Sequence, residues 1–207
     1  MKRKLKIFLG VVTVISLTVA SSWALTFDFN IDLSSGGFSE PSPWGQVELL
    51  QDGSDVDFTV TLFSGLDFVH TGAGAEVAFL FNAKDIDIST DFENPVPASL
   101  LGITKDPYLL AQKGGFVYGI YFAPNNGGIN RNPSPISFTI SDSVITDFTD
   151  PSLNSNGYLF AADVIGDGVT GLIATGTNPV PEPATMLLLG TGLVGLAGFG
   201  RKKFFKK

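Results

Sequence analysis

Leu25-Thr26-Phe27-Asp28-Phe29-Asn30-Ile31-Asp32-Leu33 alternates apolar and polar side chains without interruption. Successive side chains of a strand point to opposite faces, so a period of two collects the leucines, phenylalanines and Ile31 on one side. Thr26, Asp28, Asn30 and Asp32 fall on the other. The stretch predicts a half-buried strand with one wet face, and helical spacing does not fit it.

The same reading extends along the chain. Val47 and Leu49 precede Gln51-Asp52-Gly53-Ser54, and Val56, Phe58, Val60 and Leu62 follow with Asp57, Thr59 and Thr61 facing away. Two alternating runs around an Asp-Gly pair predict a hairpin. Further strands are expected at Val77 to Phe81, Ile86 to Ser89, Phe116 to Phe122, Ile136 to Ile140, Val144 to Phe148, Tyr158 to Ile165 and Gly171 to Ala174. The one helical candidate is Asp106 to Lys113, where Pro107 would open a turn or two. Residues 123 to 135, rich in Asn, Gly and Pro, read as a loop. Many short strands divided by Gly, Pro, Asn and Asp predict an all-β domain over residues 25–174, a β-sandwich of jelly-roll type with edges guarded by Asp and Pro. No internal repeat is visible.

The two ends read differently. Lys2, Arg3, Lys4 and Lys6 precede an apolar stretch from Ile7 to Ala20, and Ser22-Trp23-Ala24 places small residues where a signal peptidase reads. Residues 1–24 are therefore expected to be a signal peptide cut between Ala24 and Leu25. Residues 175–180 read as a linker. The apolar run Ala184 to Gly200, at ~1.5 Å rise per residue, makes a helix of about 26 Å, just enough to span a hydrocarbon core. Arg201, Lys202, Lys203, Lys206 and Lys207 follow it directly, a basic stop that stays cytoplasmic and places everything before Pro181 across the membrane. Pro181 and Pro183 cannot lie in a helix interior, so they mark an extended segment at the membrane surface, the shape a processing enzyme grips.

Val180-Pro181-Glu182-Pro183-Ala184-Thr185-Met186, the short Leu- and Gly-rich span and the Arg-Lys-Lys ending resemble the PEP-CTERM protein-sorting signal of Gram-negative bacteria. The resemblance covers about the last thirty residues and departs from the pattern only in the Phe204-Phe205-Lys206-Lys207 extension. It implies recognition by an exosortase, a membrane-embedded cysteine transpeptidase that removes the anchor. It also implies an inner-membrane-anchored intermediate released to the cell surface or extracellular matrix, with exopolysaccharide as the candidate polymer partner. Pro181, Glu182 and Pro183 are the sorting residues it singles out. The domain is similar, in Trp44-Gly45-Gln46-Val47, Leu159-Phe160-Ala161-Ala162-Asp163 and Gly168-Val169-Thr170-Gly171, to a recurrent small exported domain found ahead of such tails, which implies fold and location and no chemistry.

Without its two ends the chain keeps Lys84, Lys105, Lys113 and Arg131 against nineteen acids, a formal charge of about −15 compared with −7 for the whole. Such a surface repels nucleic acid and anionic headgroups. There is no cysteine, which excludes Cys nucleophiles and Cys metal sites, and a domain of this size has a core that needs no disulfide.

No resident cofactor is expected. Asp163 and Asp167-Gly168 suggest a calcium loop, but Ile165 and Ala174 stand where that pattern needs oxygen ligands, so a turn between strands is the reading. The clusters Asp52, Asp55, Asp57 and Asp85, Asp87, Asp91 offer at most weak extracellular Ca²⁺ binding and read first as solvated faces. His70, the sole histidine, is expected at the surface or in a loop, and alone it builds neither a zinc site nor a visible triad. Paired acids for glycoside hydrolysis are too abundant to be a signal. Trp44, Tyr108, Tyr118, Tyr121 and Tyr158 are the candidates for a sugar-stacking platform. The leading expectation is a non-enzymatic, exosortase-sorted structural or interaction protein, the alternatives being a carbohydrate-binding module and a secreted hydrolase.

Overall fold

The computed structural model describes residues 23–34, 42–63, 65–71, 77–84, 86–87, 89–97, 101–109, 113–122 and 128–180. The segments 1–22 and 181–207, which hold most of the expected signal peptide, the expected membrane span and the residues Pro181, Glu182, Pro183, Arg201, Lys202 and Lys203, lie outside them.

The opening stretch forms β1 (Ala24–Asp32), with Phe27 and Phe29 buried between partly or fully exposed neighbours. The predicted hairpin is β2 (Gly45–Asp52) and β3 (Asp55–Leu62), paired from Gly45↔Leu62 to Asp52↔Asp55. Gly53 takes φ +63 at the first central position, the conformation that lets a two-residue turn follow the strand twist. The remaining strands are β4 (Asp67–His70), β5 (Phe79–Phe81), β6 (Phe92–Val96), β7 (Leu101–Leu109), β8 (Phe116–Phe122), β9 (Gly128–Asn132), β10 (Ile136–Ile140), β11 (Phe160–Gly166) and β12 (Val169–Thr175).

All pairings are antiparallel, in the order β6-β10-β3-β2-β1-β12-β11-β5-β8-β7, with β4 on β11 and β9 on β4. β1 is the hinge of this arrangement. Its first part, Ala24 to Asp28, pairs with β2, and a register shift after Phe29 hands the strand to β12. One strand thus belongs to both halves, and the expected pair of separate sheets is realised as a single rolled sheet, nearly a barrel. The path ends β6 and β7 lie against each other without a ladder between them among the described residues.

The inward residues of the two halves meet in one core containing Phe27, Phe58, Phe79, Phe81, Tyr118, Phe138 and Phe160. A smaller cluster of Val77, Leu80, Phe116, Ala161, Leu172 and Ala174 covers the outer side of the β12-β11-β5-β8 half. β11 is therefore buried along its whole length and carries apolar residues on both faces instead of alternating, with Asp163 its one charged side chain.

Several local expectations are corrected. Val144 to Phe148 is a 3-10 turn over Ile145–Asp147, because the Asp147 carboxylate accepts the Val144 amide at 3.0 Å and Ile145 and Phe148 drop into the core together. In place of a strand over Ile86 to Ser89, the chain turns at Asp87, whose Oδ1 accepts the Ser89 amide and hydroxyl and whose carbonyl accepts the Asp91 amide. Asp106 to Leu109 belongs to β7 and is no helix. Pro107, which lacks a ladder donor, sits on the end strand of the path beside a register shift. The expected loop 123–135 contains β9, and β4 and β6 were not anticipated, being short or interrupted by Pro95.

Gly45 shows how closely β2 and β3 approach. A Cβ there would stand 2.4 Å from the Thr61 carbonyl oxygen, a backbone atom that cannot swing aside. Gly45→Ala is expected to lower stability by about 1–3 kcal/mol, the range for forced overpacking, read as a lower urea midpoint. An unchanged midpoint would show that the strands separate freely at this position.

Candidate functional site

The outer face of the β1-β2-β3-β10-β6 half is a grid set by cross-strand register. Leu50, Asp57, Thr139 and Glu93 form one row, and Thr26, Glu48, Thr59 and Ser137 the next. Because each strand spends its apolar residues on the core, the alternate positions deliver Glu, Asp, Thr and Ser side by side on the wet face.

The face is not flat. β6 carries two residues, Asn94 and Pro95, opposite the single Phe138 of β10, a bulge flanked by the pairs Ser137↔Val96 and Thr139↔Glu93. Asn94 adopts φ +48, a left-handed conformation uncommon outside glycine. Beside the bulge lies a groove of ≈ 320 Å³ lined by Glu48, Leu50, Asp57, Thr59, Asn94, Ser137 and Thr139, with Phe58 and Phe138 at its floor. Asp57 accepts the Thr139 hydroxyl at 2.7 Å, which fixes its carboxylate across the strands. The lining holds two carboxylates, three hydroxyls, one amide and no cation, so it can accept and donate hydrogen bonds to a hydroxylated or positively charged ligand and disfavours anions.

Other candidates are placed elsewhere. His70 is buried in β4, contrary to the expected surface position. Its Nε2 accepts the Phe122 amide at 2.8 Å and its ring stacks on Phe122 at 5.4 Å. That bond assigns the proton to Nδ1 and makes the imidazole a structural acceptor. Asp163 is fully buried in β11, where its Oδ2 accepts both the amide and the hydroxyl of Thr71 at 2.6 Å. Asp167 and Gly168, with φ +49 and +80, form the two-residue turn of the β11–β12 hairpin.

Among the described residues the acidic clusters are dispersed, Asp85 lying outside them. Asp52 and Asp55 flank the hairpin tip, Asp57 faces the groove, and Asp87 and Asp91 accept amides of their own turn. Among the described residues no three His, Cys, Asp or Glu side chains converge for a metal ion. Asp150 is lowered to about 2, first by the Ser152 hydroxyl and amide and then by Lys84, which lies at 3.1 Å, so it stays ionised at any ordinary pH. Of the aromatic candidates Trp44 and Tyr118 are buried, and Tyr121 and Tyr158 pack against the outer cluster. Tyr121 and Tyr158 are half-buried there, and the side chain of Tyr108 lies outside the described residues. Glu48, Asn94, Ser137 and Thr139 were not singled out from sequence. Their polar alternation was visible, but Asn94-Pro95 was the only trace of the bulge that shapes the groove.

Of the expected cleavage pair, Ala24 opens β1 opposite Leu50, and Leu25 pairs with Leu49 and packs on the core. At the other end Thr175 closes β12, and the chain returns to β1, where the Val180 amide donates to the Thr26 carbonyl at 2.7 Å. Among the described residues no helix is long and apolar enough to cross a membrane.

A rolled β domain whose last described residue leads straight into a Pro-Glu-Pro segment defines a domain carried by a C-terminal address. That address is the PEP-CTERM protein-sorting motif, which matches residues 179–202, so the chain is an exported, surface-directed protein processed by an exosortase. No curated protein and no solved structure matches the chain.

Proposed function

We propose that this protein is a non-enzymatic interaction module of the cell envelope. It is exported behind a signal peptide of residues 1–24, held in the inner membrane of a Gram-negative bacterium by a helix over 184–200, and released by an exosortase to the surface or exopolysaccharide matrix. The observation that carries the sorting half is the motif at 179–202 directly after a folded domain. No cofactor enters the proposal. The two facing halves of the sheet make a flattened, jelly-roll-like sandwich, a reading favoured by the crossovers from β3 to β10 and from β1 to β12.

The test is the intact mass of the protein recovered from the cell surface and medium, beside Glu182→Ala. The wild type is expected to lack both residues 1–24 and the C-terminal span, and the variant is expected in the membrane at higher mass, with at least tenfold less trimmed product. A wild-type protein that keeps its tail on the surface would overturn the sorting reading.

Carbohydrate binding is the second reading, and the groove beside Asn94 favours it. Its volume lies at the lower end for ligand sites, and its mixed donors and acceptors suit a polyhydroxylated chain. Retardation of the protein in polysaccharide-containing affinity gels should be lost in Thr59→Val with Ser137→Ala. No retardation of the wild type across a broad glycan set would remove this reading.

A further inference from the structure

The junction between domain and address is part of the sheet. Thr175 pairs with Phe29 and Val180 with Thr26, so the chain from 175 to 180 runs antiparallel to β1 and bows out by two residues on the way. Pro179 and Val180, the first two residues of the matched motif, therefore belong to the folded domain. β1 has β2 on one side of Thr26, through Thr26↔Glu48, and Val180 on the other.

This attachment fixes a distance. Four residue steps separate Val180 from Ala184, where the apolar run begins, and at ~3.3–3.6 Å each they reach at most about 14 Å. A domain of this size has a radius of gyration of about 15 Å. With Val180 in place and Ala184 at the membrane surface, the domain can stand no further from the membrane than that reach, which leaves little room for a membrane-embedded enzyme. Releasing Val180 frees Gly176 to Val180 and lengthens the tether by about 17 Å. Among the described residues the contact is a single backbone bridge at an exposed residue, so it opens without unfolding of the domain.

We propose that the Val180–Thr26 bridge is a clasp that shields the sorting motif, and that exosortase processing requires it to open. The proposal rests on the sorting reading above and on residues 184–200 being the membrane span.

The chain has no cysteine, so a disulfide can be placed at this bridge alone. Cross-strand neighbours lie ~4.5–5.5 Å apart between Cα atoms, within the range a disulfide spans. The full-length protein with Thr26→Cys and Val180→Cys is produced in a host that carries the exosortase, and tail removal is followed by intact mass with and without a membrane-permeant reductant. The oxidised double variant should be trimmed at least tenfold more slowly than wild type, reduction should restore the wild-type rate, and each single variant should behave as wild type. In the oxidised background, a six-residue Gly/Ser insertion between Val180 and Pro181 supplies the missing tether and should also restore trimming.

Trimming of the oxidised double variant at the wild-type rate would overturn the clasp. So would a block that neither reduction nor the insertion relieves, since that would place the defect in recognition and not in reach. If the wild type itself is never trimmed, the sorting reading fails, which is a separate result.

Discussion

Phe58→Ala is expected to lower the unfolding free energy by about 3–5 kcal/mol, the range for removing a fully buried aromatic ring. Such a loss is a large part of what a domain of this size has in reserve. Phe58 stands on β3 where the halves of the sheet meet. Its ring stacks on Phe138 of β10 at 4.7 Å and meets Phe148 edge-on at 4.9 Å, both beside it in the same half or its covering turn. Across the core it reaches Phe81 of β5 at 5.5 Å and Phe160 of β11 at 6.3 Å. Aromatic pairs at these separations add to the area they bury, and truncation leaves a cavity that four rigid rings cannot close. Urea unfolding of the released protein is the measurement. A loss under about 1 kcal/mol would show that the halves are not held together through this ring, whereas Phe58→Leu, which keeps much of the volume, should retain most of the stability.

Gln51→Ala is the second large effect, expected at about 3 kcal/mol, from a side chain that is polar and buried. Gln51 Nε2 shares its two hydrogens among the carbonyls of Gly53, Asp55 and Ser143, and its Oε1 accepts the Ile145 amide at 3.0 Å. One amide thus ties the β2–β3 hairpin tip to the turn that follows β10. Alanine leaves the buried Ser143 carbonyl and Ile145 amide without these bonds, and an abandoned buried group costs more than its bond contributed. Gln51→Glu should be no better, since it exchanges the donor for a carboxylate facing three carbonyl oxygens. Hydrogen exchange offers the local readout: the Ile145 amide should lose protection ahead of those in β11. Equal protection in wild type and variant would show that the turn is held by Ile145 and Phe148 packing alone.

The strands that could be read from sequence are those whose pattern follows from a single buried face. Phe116 to Phe122 and Ile136 to Ile140 were bounded correctly, because alternation and flanking Gly, Asn and Pro give the same limits. Reading failed where tertiary context supplies the partner. β9, Gly-Ile-Asn-Arg-Asn, has one apolar residue among loop formers and becomes a strand because β4 presents an edge to it. Val144 to Phe148 has strand composition, yet its Asp147 carboxylate captures the Val144 amide and closes a turn. His70 looked like a surface histidine because nothing in its neighbours announces the Phe122 amide fifty-two residues away. The groove was illegible for the same reason: Glu48, Thr59, Asn94 and Ser137 sit on four strands and become neighbours only through register.

The sequence by itself determined the class of the domain and its address. A period of two is a local property of strands, and the Pro-Glu-Pro segment with its apolar run and basic end is contiguous, so neither needs distant residues to be recognised. Only the tertiary structure decided that the sheet rolls about β1, that a bulge in β6 opens a groove on a grid of hydroxyls and carboxylates, and that Val180 returns to Thr26. Each of these is a pairing between segments far apart in the chain. Which of many compatible edges meet is set by how the large aromatic side chains pack, a choice that one-dimensional patterning does not encode.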